Sequence, residues 1–215
     1  MRIAVLGGTG PEGLGIAARL AAAGEEITIG SRDLARATAA AATLGSEVAG
    51  ARVQGKGNCD AATTCEAVVL AIPVAGVEEL LDGCGEALRG KVVLEVVNPL
   101  VMERGVFRVV DAWKAGVAAR IAARVPDARV VSGLKHESAA NLRALGRRLE
   151  GDVLLCSDDD GAKAIVAGLV RHMPDLRPID AGGLAVAPLL DQVTALLLNL
   201  NRRHKVESSL RIVGL

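Results

Sequence analysis

Seven short runs of β-branched and aliphatic residues recur along the chain, at 3–6, 26–29, 68–71, 92–97, 129–132, 153–156 and 176–179. They are continuous rather than alternating, which is the pattern of strands covered on both faces. A weaker run lies at 52–54. Alanine- and leucine-rich segments with helical periodicity separate them, at 13–23, 34–44, 161–173 and 187–202. Val109, Trp113, Val117, Ile121 and Val125 stand at four-residue spacing and predict a further helix over 109–125, with Trp113 as core packing. Strands alternating with helices predict a doubly wound, mostly parallel α/β sheet of the Rossmann type. The expected division is a dinucleotide-binding domain over 1–182 and a small helical segment over 183–215.

Composition narrows this picture. The chain has 215 residues, 51% of them hydrophobic, and a formal net charge of zero. The charges are dispersed, so no nucleic-acid or anionic-membrane surface is expected. The apolar stretch 184–200 is interrupted by Pro188, Asp191, Gln192 and Asn199 and is expected to fall short of a membrane span. No signal peptide is read at the start, and the four cysteines, Cys59, Cys65, Cys84 and Cys156, show neither CxxC spacing nor a histidine pair. Four buried thiols, no metal site and a cytoplasmic location are the expectations.

The first strand runs into Gly8-Thr9-Gly10-Pro11-Glu12-Gly13 and then a helix. In that context Gly-x-Gly-x-x-Gly predicts a pyrophosphate cradle. Gly8 serves a tight turn, Gly10 close backbone approach and Gly13 helix–strand packing, with free helical amides facing the anion. Pro11 suits the first helical turn. Glu12 is expected to contribute its amide and turn its carboxylate outward. The second strand ends Gly30-Ser31-Arg32 without an acid to receive a ribose 2′-hydroxyl. Ser31, Arg32 and Arg36 instead make a basic pocket for a 2′-phosphate, while Asp33 caps the next helix.

Ligands of such sheets lie beyond the carboxyl ends of the strands. Ile72-Pro73-Val74 and Asn98 follow two strands and are expected beside the cofactor, whereas Lys135-His136-Glu137 follows another and is expected at the second substrate. Asp158-Asp159-Asp160 reads as a helix cap, and His172 and His204 as surface residues.

With these motifs and Leu176-Arg177-Pro178-Ile179-Asp180-Ala181-Gly182 in place, the chain resembles, over nearly its whole length, the NADPH-dependent reductases of the deazaflavin coenzyme F420. The resemblance implies direct hydride exchange between NADP(H) and the deazaflavin with no obligatory acid or base. It also implies a homodimer and NADP(H) contacts from Thr9, Gly10, Ser31, Arg32, Arg36, Pro73 and Ala139. Lys135, His136 and Glu137 depart from the family's histidine-containing pattern there. Two other functions remain open. One is NADPH-dependent reduction of a small ketone or imine with Lys135 or His136 as general acid, and the other is a non-enzymatic NADP(H)-sensing regulator. Leu189, Leu190, Val193, Leu196, Leu197 and Leu200 predict a dimer interface on the last helix.

Overall fold

The computed structural model describes all 215 residues. An eight-stranded sheet comprises β1 (Arg2–Leu6), β2 (Glu26–Ser31), β3 (Arg52–Gly57), β4 (Ala67–Leu70), β5 (Val92–Glu95), β8 (Arg129–Ser132), β9 (Gly151–Cys156) and β10 (Leu176–Gly182), and β6 (Leu100–Glu103) and β7 (Val106–Val109) form a separate antiparallel hairpin. The order across the sheet is β10-β9-β8-β5-β4-β1-β2-β3, with the six strands from β8 to β3 parallel. Helices α1 (Pro11–Ala22), α2 (Leu34–Glu47), α3 (Asn58–Thr64), α4 (Val77–Leu88), α5 (Val117–Arg124), α6 (Ala139–Arg143), α7 (Asp160–Arg171) and α8 (Ala187–His204) complete the chain. Alternate strand residues serve two cores: Ile3, Val5, Val69 and Leu94 pack with α1, α2 and α7, while Ala4, Leu6, Val68 and Val93 pack with α3, α4, α5 and α8. Burial on both faces explains why these strands read as unbroken apolar runs.

Strand β9 turns against the sheet. It meets β8 antiparallel through Ser132 and Cys156 alone. The rest of β9 therefore lies opposite the segment that follows β8, beyond the carboxyl edge, and β10 runs parallel beside it. Together they raise a wall on one side of the crevice.

The helix predicted over 109–125 is shorter. Residues 106–109 belong to the hairpin, a 3-10 turn covers Asp111–Trp113, and Gly116 at φ +87° breaks the run before α5 begins. Trp113 is half-buried at the edge of the core, with the Arg120 guanidinium 5.6 Å from its ring centroid. The hairpin closes through Arg104 and Gly105, both at positive φ, in a two-residue turn of the primed kind. The expectation of four thiols also fails: Cys59 on α3 and Cys84 on α4 form a disulfide, and only Cys65 and Cys156 are free and buried. By length and composition the stretch Leu184–His204 does reach what a membrane crossing requires, contrary to expectation. Its Asp191 is nonetheless buried against Lys135 inside the fold.

The α1 and α6 helices are joined by a single cation. Arg19, 3% exposed, donates to the carbonyl oxygens of Asn141 (2.8 Å), Leu142 (2.9 Å), Ala144 (2.6 Å), Leu145 (3.3 Å) and Arg147 (2.9 Å). These are the acceptors a helix end and the loop after it leave without intrahelical partners. Replacing Arg19 with leucine should therefore lower the unfolding free energy by about 3 kcal/mol or more, because several buried carbonyls lose a charged donor at once. Urea denaturation reads the change, and a loss under about 1 kcal/mol would show that α6 is held by packing alone.

Candidate functional site at the carboxyl edge

The register of the parallel strands aligns Gly30, Leu6, Leu70, Glu95 and Ser132 in one row. The residues that follow them converge on one crevice. Gly7, not Gly8, takes the left-handed conformation of the turn after β1, at φ +71°. The Gly10 amide closes the turn on Gly7 O at 3.0 Å. A Cβ on Gly13 would come within 2.8 Å of Gly8 Cα, so the first turn of α1 sits directly on the glycine turn. Gly10 is the N-cap residue of α1, no side chain caps it, and Pro11 follows. The amides of Glu12 and Gly13 are then left for an external acceptor, at the positive end of the helix dipole. Asn58, which sequence reasoning missed, supports the turn from the end of β3: its Oδ1 accepts from Gly7 N at 3.4 Å.

At the end of β2 the Ser31 hydroxyl is buried and accepts from Asp33 N at 3.1 Å. Asp33 caps α2 by accepting from the amides of Ala35 and Arg36, as expected. Arg32 and Arg36 are exposed, and Arg32 lies 3.6 Å from Glu79 on α4. Ile72 and Val74 are half-buried and Pro73 is exposed, leading into the 3-10 turn before α4.

Lys135 is not in the crevice wall where the sequence suggested. It is 2% exposed, and Nζ donates to Glu95 Oε1 (2.9 Å), Asp191 Oδ1 (2.7 Å) and Val97 O (2.7 Å). All three of its protons are used. Burial works against the charged ammonium, but Glu95 and Asp191 outweigh it and hold the pKa above its ordinary value. One cation cannot neutralise two buried carboxylates, and burial pushes Asp191 up to about 6 even with Lys135 beside it. Asp191 Oδ2 has no partner. Glu95 and Asp191 carried no sequence signal, since each is a single acid within an apolar run. Asn98 donates from Nδ2 to Lys135 O at 2.7 Å, and its Oδ1 is a buried acceptor with no donor.

His136 is 7% exposed and its Nε2 lies 2.8 Å from Asp152 O. A carbonyl only accepts, so Nε2 carries the proton and the unpartnered Nδ1 is a lone-pair acceptor. Burial lowers the histidine pKa further and keeps the ring neutral. Glu137 borders a polar cavity of about 350 Å³, together with His136, Ser138, Asn141, Arg147 and Ser209. Burial pushes its carboxyl up to about 7, and Oε1 has no partner.

Glu12 contradicts its expectation. Its carboxyl is turned in rather than out, where burial and the charge of Glu137 push it up to about 8. The reason is packing. Gly15 lies against Leu142 and the Ala139 carbonyl, which brings the start of α1 onto the segment carrying Glu137 and Ala139.

The acids of 158–160 have three separate roles. Asp158 accepts from Leu184 N (2.9 Å), Asp159 caps α7 through Ala162 N (2.8 Å) and pairs with Arg129, and Asp160 pairs with Lys163. Arg177 holds Asp152 through two bonds of 2.8 Å and donates to Ile212 O at 2.9 Å, which ties the C-terminal tail to β9. The Arg177 guanidinium is the main reason the Asp152 carboxyl lies at about 2.

Residues 2–99 match the family model described as NADP oxidoreductase, coenzyme F420-dependent. An F420-dependent NADP reductase of Methanothermobacter marburgensis is 35% identical over 223 residues, covering 100% of this chain and 99% of that protein. A solved putative F420-dependent NADP-reductase from Arthrobacter sp. FB24 superposes with a TM-score of 0.85 at 28% identity, covering 100% of both chains. An imine reductase from Myxococcus stipitatus superposes with a TM-score of 0.65 at 16% identity over 95% of this chain and 62% of its own, a likeness of fold alone. With a relative 35% identical over the whole chain and a family model matching residues 2–99, the chain belongs to the family of coenzyme F420-dependent NADP oxidoreductases.

Proposed function

We propose that this chain exchanges hydride between NADP(H) and the deazaflavin coenzyme F420. The uncapped start of α1, facing a turn that side chains do not fill, carries the reading, because it offers amides to a pyrophosphate. Gly8, Thr9, Gly10, Pro11 and Glu12 hold that group, with Glu12 acting through its amide. Ser31, Arg32 and Arg36 receive the 2′-phosphate, and Arg32 exchanges its exposed partner Glu79 for a stronger one. Ile72, Pro73, Val74 and Ala139 shield the cofactor from water, and the free Oδ1 of Asn98 is an acceptor for one of its donors. When bound, the nicotinamide supplies or accepts the hydride. The second substrate lies toward the cavity at His136 and Glu137.

Catalysis in this reading comes from alignment and exclusion of water, not from proton transfer. The ketone or imine alternative loses both of its candidate acids. The Lys135 protons are committed to Glu95, Asp191 and Val97, and His136 turns a lone pair, not a proton, to any ligand.

The chain works as a homodimer through α8. Leu190 and Leu197 are buried within the chain, but Leu189, Leu196 and Leu200 of α8 remain exposed, as do Met102 and Val106 of the hairpin that α8 contacts through Asn199 and Arg202. Exposed apolar side chains at i, i+7 and i+11 share one face of α8, which is suited to a second copy.

Three measurements test these statements. NADPH should bind at least about tenfold more tightly than NADH, since a charge-assisted contact to the 2′-phosphate contributes about 1.5–3 kcal/mol. Arg32→Ala should weaken NADPH far more than NADH in calorimetric titration, and equal affinities in the wild type would remove the assignment. Sedimentation at micromolar concentration should give a dimer that Leu196→Glu converts to monomer. A monomeric wild type would overturn the interface.

The third concerns pH. Glu12 and Glu137 have folded-state pKa values of about 8 and about 7 against 4.5 for the free group, so between these values the native state holds protons that the unfolded chain has lost. Their contribution to stability is therefore present at low pH and is lost as pH rises from about 4.5 to 8. Glu12→Gln should gain stability relative to the wild type across that interval in urea melts. A difference between the two that does not change with pH would show that the carboxyl is not held neutral.

A further inference from the structure

The two halves of the proposed nucleotide site are held by two helices that a covalent bond joins. Short helix α3 begins at Asn58, whose Oδ1 accepts from the amide of Gly7 in the glycine turn. Lys91 fixes its other end by donating to the carbonyls of Ala62 (2.5 Å), Thr63 (3.0 Å) and Cys65 (2.5 Å). Helix α4 carries Glu79, the partner of Arg32. Cys59, the residue after Asn58, is bonded to Cys84 in α4 with 4.9 Å between their Cα atoms. The bond therefore links the support of the pyrophosphate turn to the helix facing the 2′-phosphate end.

This bond is also the thiol chemistry that solution can reach. Cys59 is exposed, whereas Cys65 and Cys156 are 5% and 0% exposed. Burial pushes the Cys156 thiol up to about 11, which leaves almost no thiolate at neutral pH. A disulfide formed by an exposed cysteine is approachable by a thiol from solution, and exposed disulfides are of the labile kind.

We propose that Cys59–Cys84 is a reversible redox modification site that sets the affinity of the nucleotide site. The inference rests on the NADP(H) reading given above. In reduction, the thiolate of a low-molecular-weight thiol attacks Cys59 Sγ, the intramolecular S–S bond breaks, and Cys84 leaves as a thiolate that takes a proton. A second thiol then attacks the mixed disulfide and releases Cys59. Two small thiols thus become one small disulfide, and their two electrons reside on the two protein thiols. Oxidation by a small-molecule disulfide, such as oxidised glutathione, is the reverse. The oxidised form fixes α3 against α4 and so preorganises the turn through Asn58, and the reduced form releases that constraint.

The test compares NADPH affinity in the two states. Wild-type protein is equilibrated with oxidised glutathione or with dithiothreitol, freed of the reagent and titrated with NADPH by calorimetry, and thiols are counted after denaturation. The oxidised protein should show two thiols and the reduced protein four. Reduction should weaken NADPH by about three- to tenfold, the scale of a lost preorganisation rather than a lost contact. Cys59→Ser should bind like the reduced wild type and ignore the redox treatment. Four thiols after oxidation, or equal NADPH affinity in both states, would overturn the proposal. Failure to bind NADPH in either state, with the thiol count still changing, would instead defeat the nucleotide reading and this inference with it.

Discussion

The Lys135 ammonium is the point on which the architecture around the crevice depends. It joins three parts of the chain that are distant in sequence: Glu95 at the end of β5, its own segment after β8, and Asp191 on α8. Ser132 donates to the other Glu95 oxygen and Val97 N to the same oxygen as Lys135, so that carboxylate is bonded on both sides. Burying three charged groups is expensive, and the cluster is tolerable only while all of its members are present. Removing the lysine would leave two acids without a counter-charge in the middle of the fold. The cluster ties α8 to the ends of β5 and β8 and, through the Lys135 carbonyl, holds the side chain of Asn98.

Two arginines extend this bracing to the wall of the cavity. Arg19 gathers the carbonyls at the end of α6 and the loop beyond it, and Arg177 gathers Asp152 and the C-terminal tail. Asp152 also presents its carbonyl to His136. The segment from Gly133 to Arg147 has little regular structure apart from five-residue α6, so local hydrogen bonding cannot hold it. Charged-donor hydrogen bonds from Arg19 on one side, and on the other the bond of His136 to Asp152, itself held by Arg177, provide what a longer helix would have supplied. The strand reversal at β9 makes this possible, because it carries Asp152 past the carboxyl edge to a point opposite His136.

Where the sequence was legible, a single local rule decided the outcome. The parallel strands were legible because burial on both faces leaves no polar alternation, and the glycine turn because each glycine meets backbone within 3.5 Å. Asp33 and Asp159 were legible as caps because capping needs only the amides that follow. The roles that were missed depend on tertiary contacts. Lys135 looked like a pocket residue because it follows a strand end, and nothing nearby in sequence reveals Glu95 or Asp191. The Cys59–Cys84 bond spans 25 residues with no spacing motif, and arises because α3 and α4 pack on the same face of the sheet. The hairpin was not read at all: only its last residue, Val109, fell at the start of the predicted helix, because it stands four residues before Trp113 in the helical repeat. Arg104 at positive φ is also an uncommon residue for such a turn.

Glu12 and Glu137 stand where α1 meets the segment after β8, and burial governs the charge of both. Burial opposes ionisation of each, and at Glu12 the charge of Glu137 adds to it. When protonated, each is a hydrogen-bond donor as well as an acceptor, and a protonated carboxyl no longer repels an anion. A dinucleotide phosphate at the start of α1 would add a further negative charge and strengthen the same preference for the neutral form. The sequence places an acid at the second residue of a helix N-terminus, where the dipole ordinarily favours a charged carboxylate. Here that preference is outweighed by burial. The same burial that raises Glu12 raises the Glu137 carboxyl beside the cavity, so its charge there changes near neutral pH.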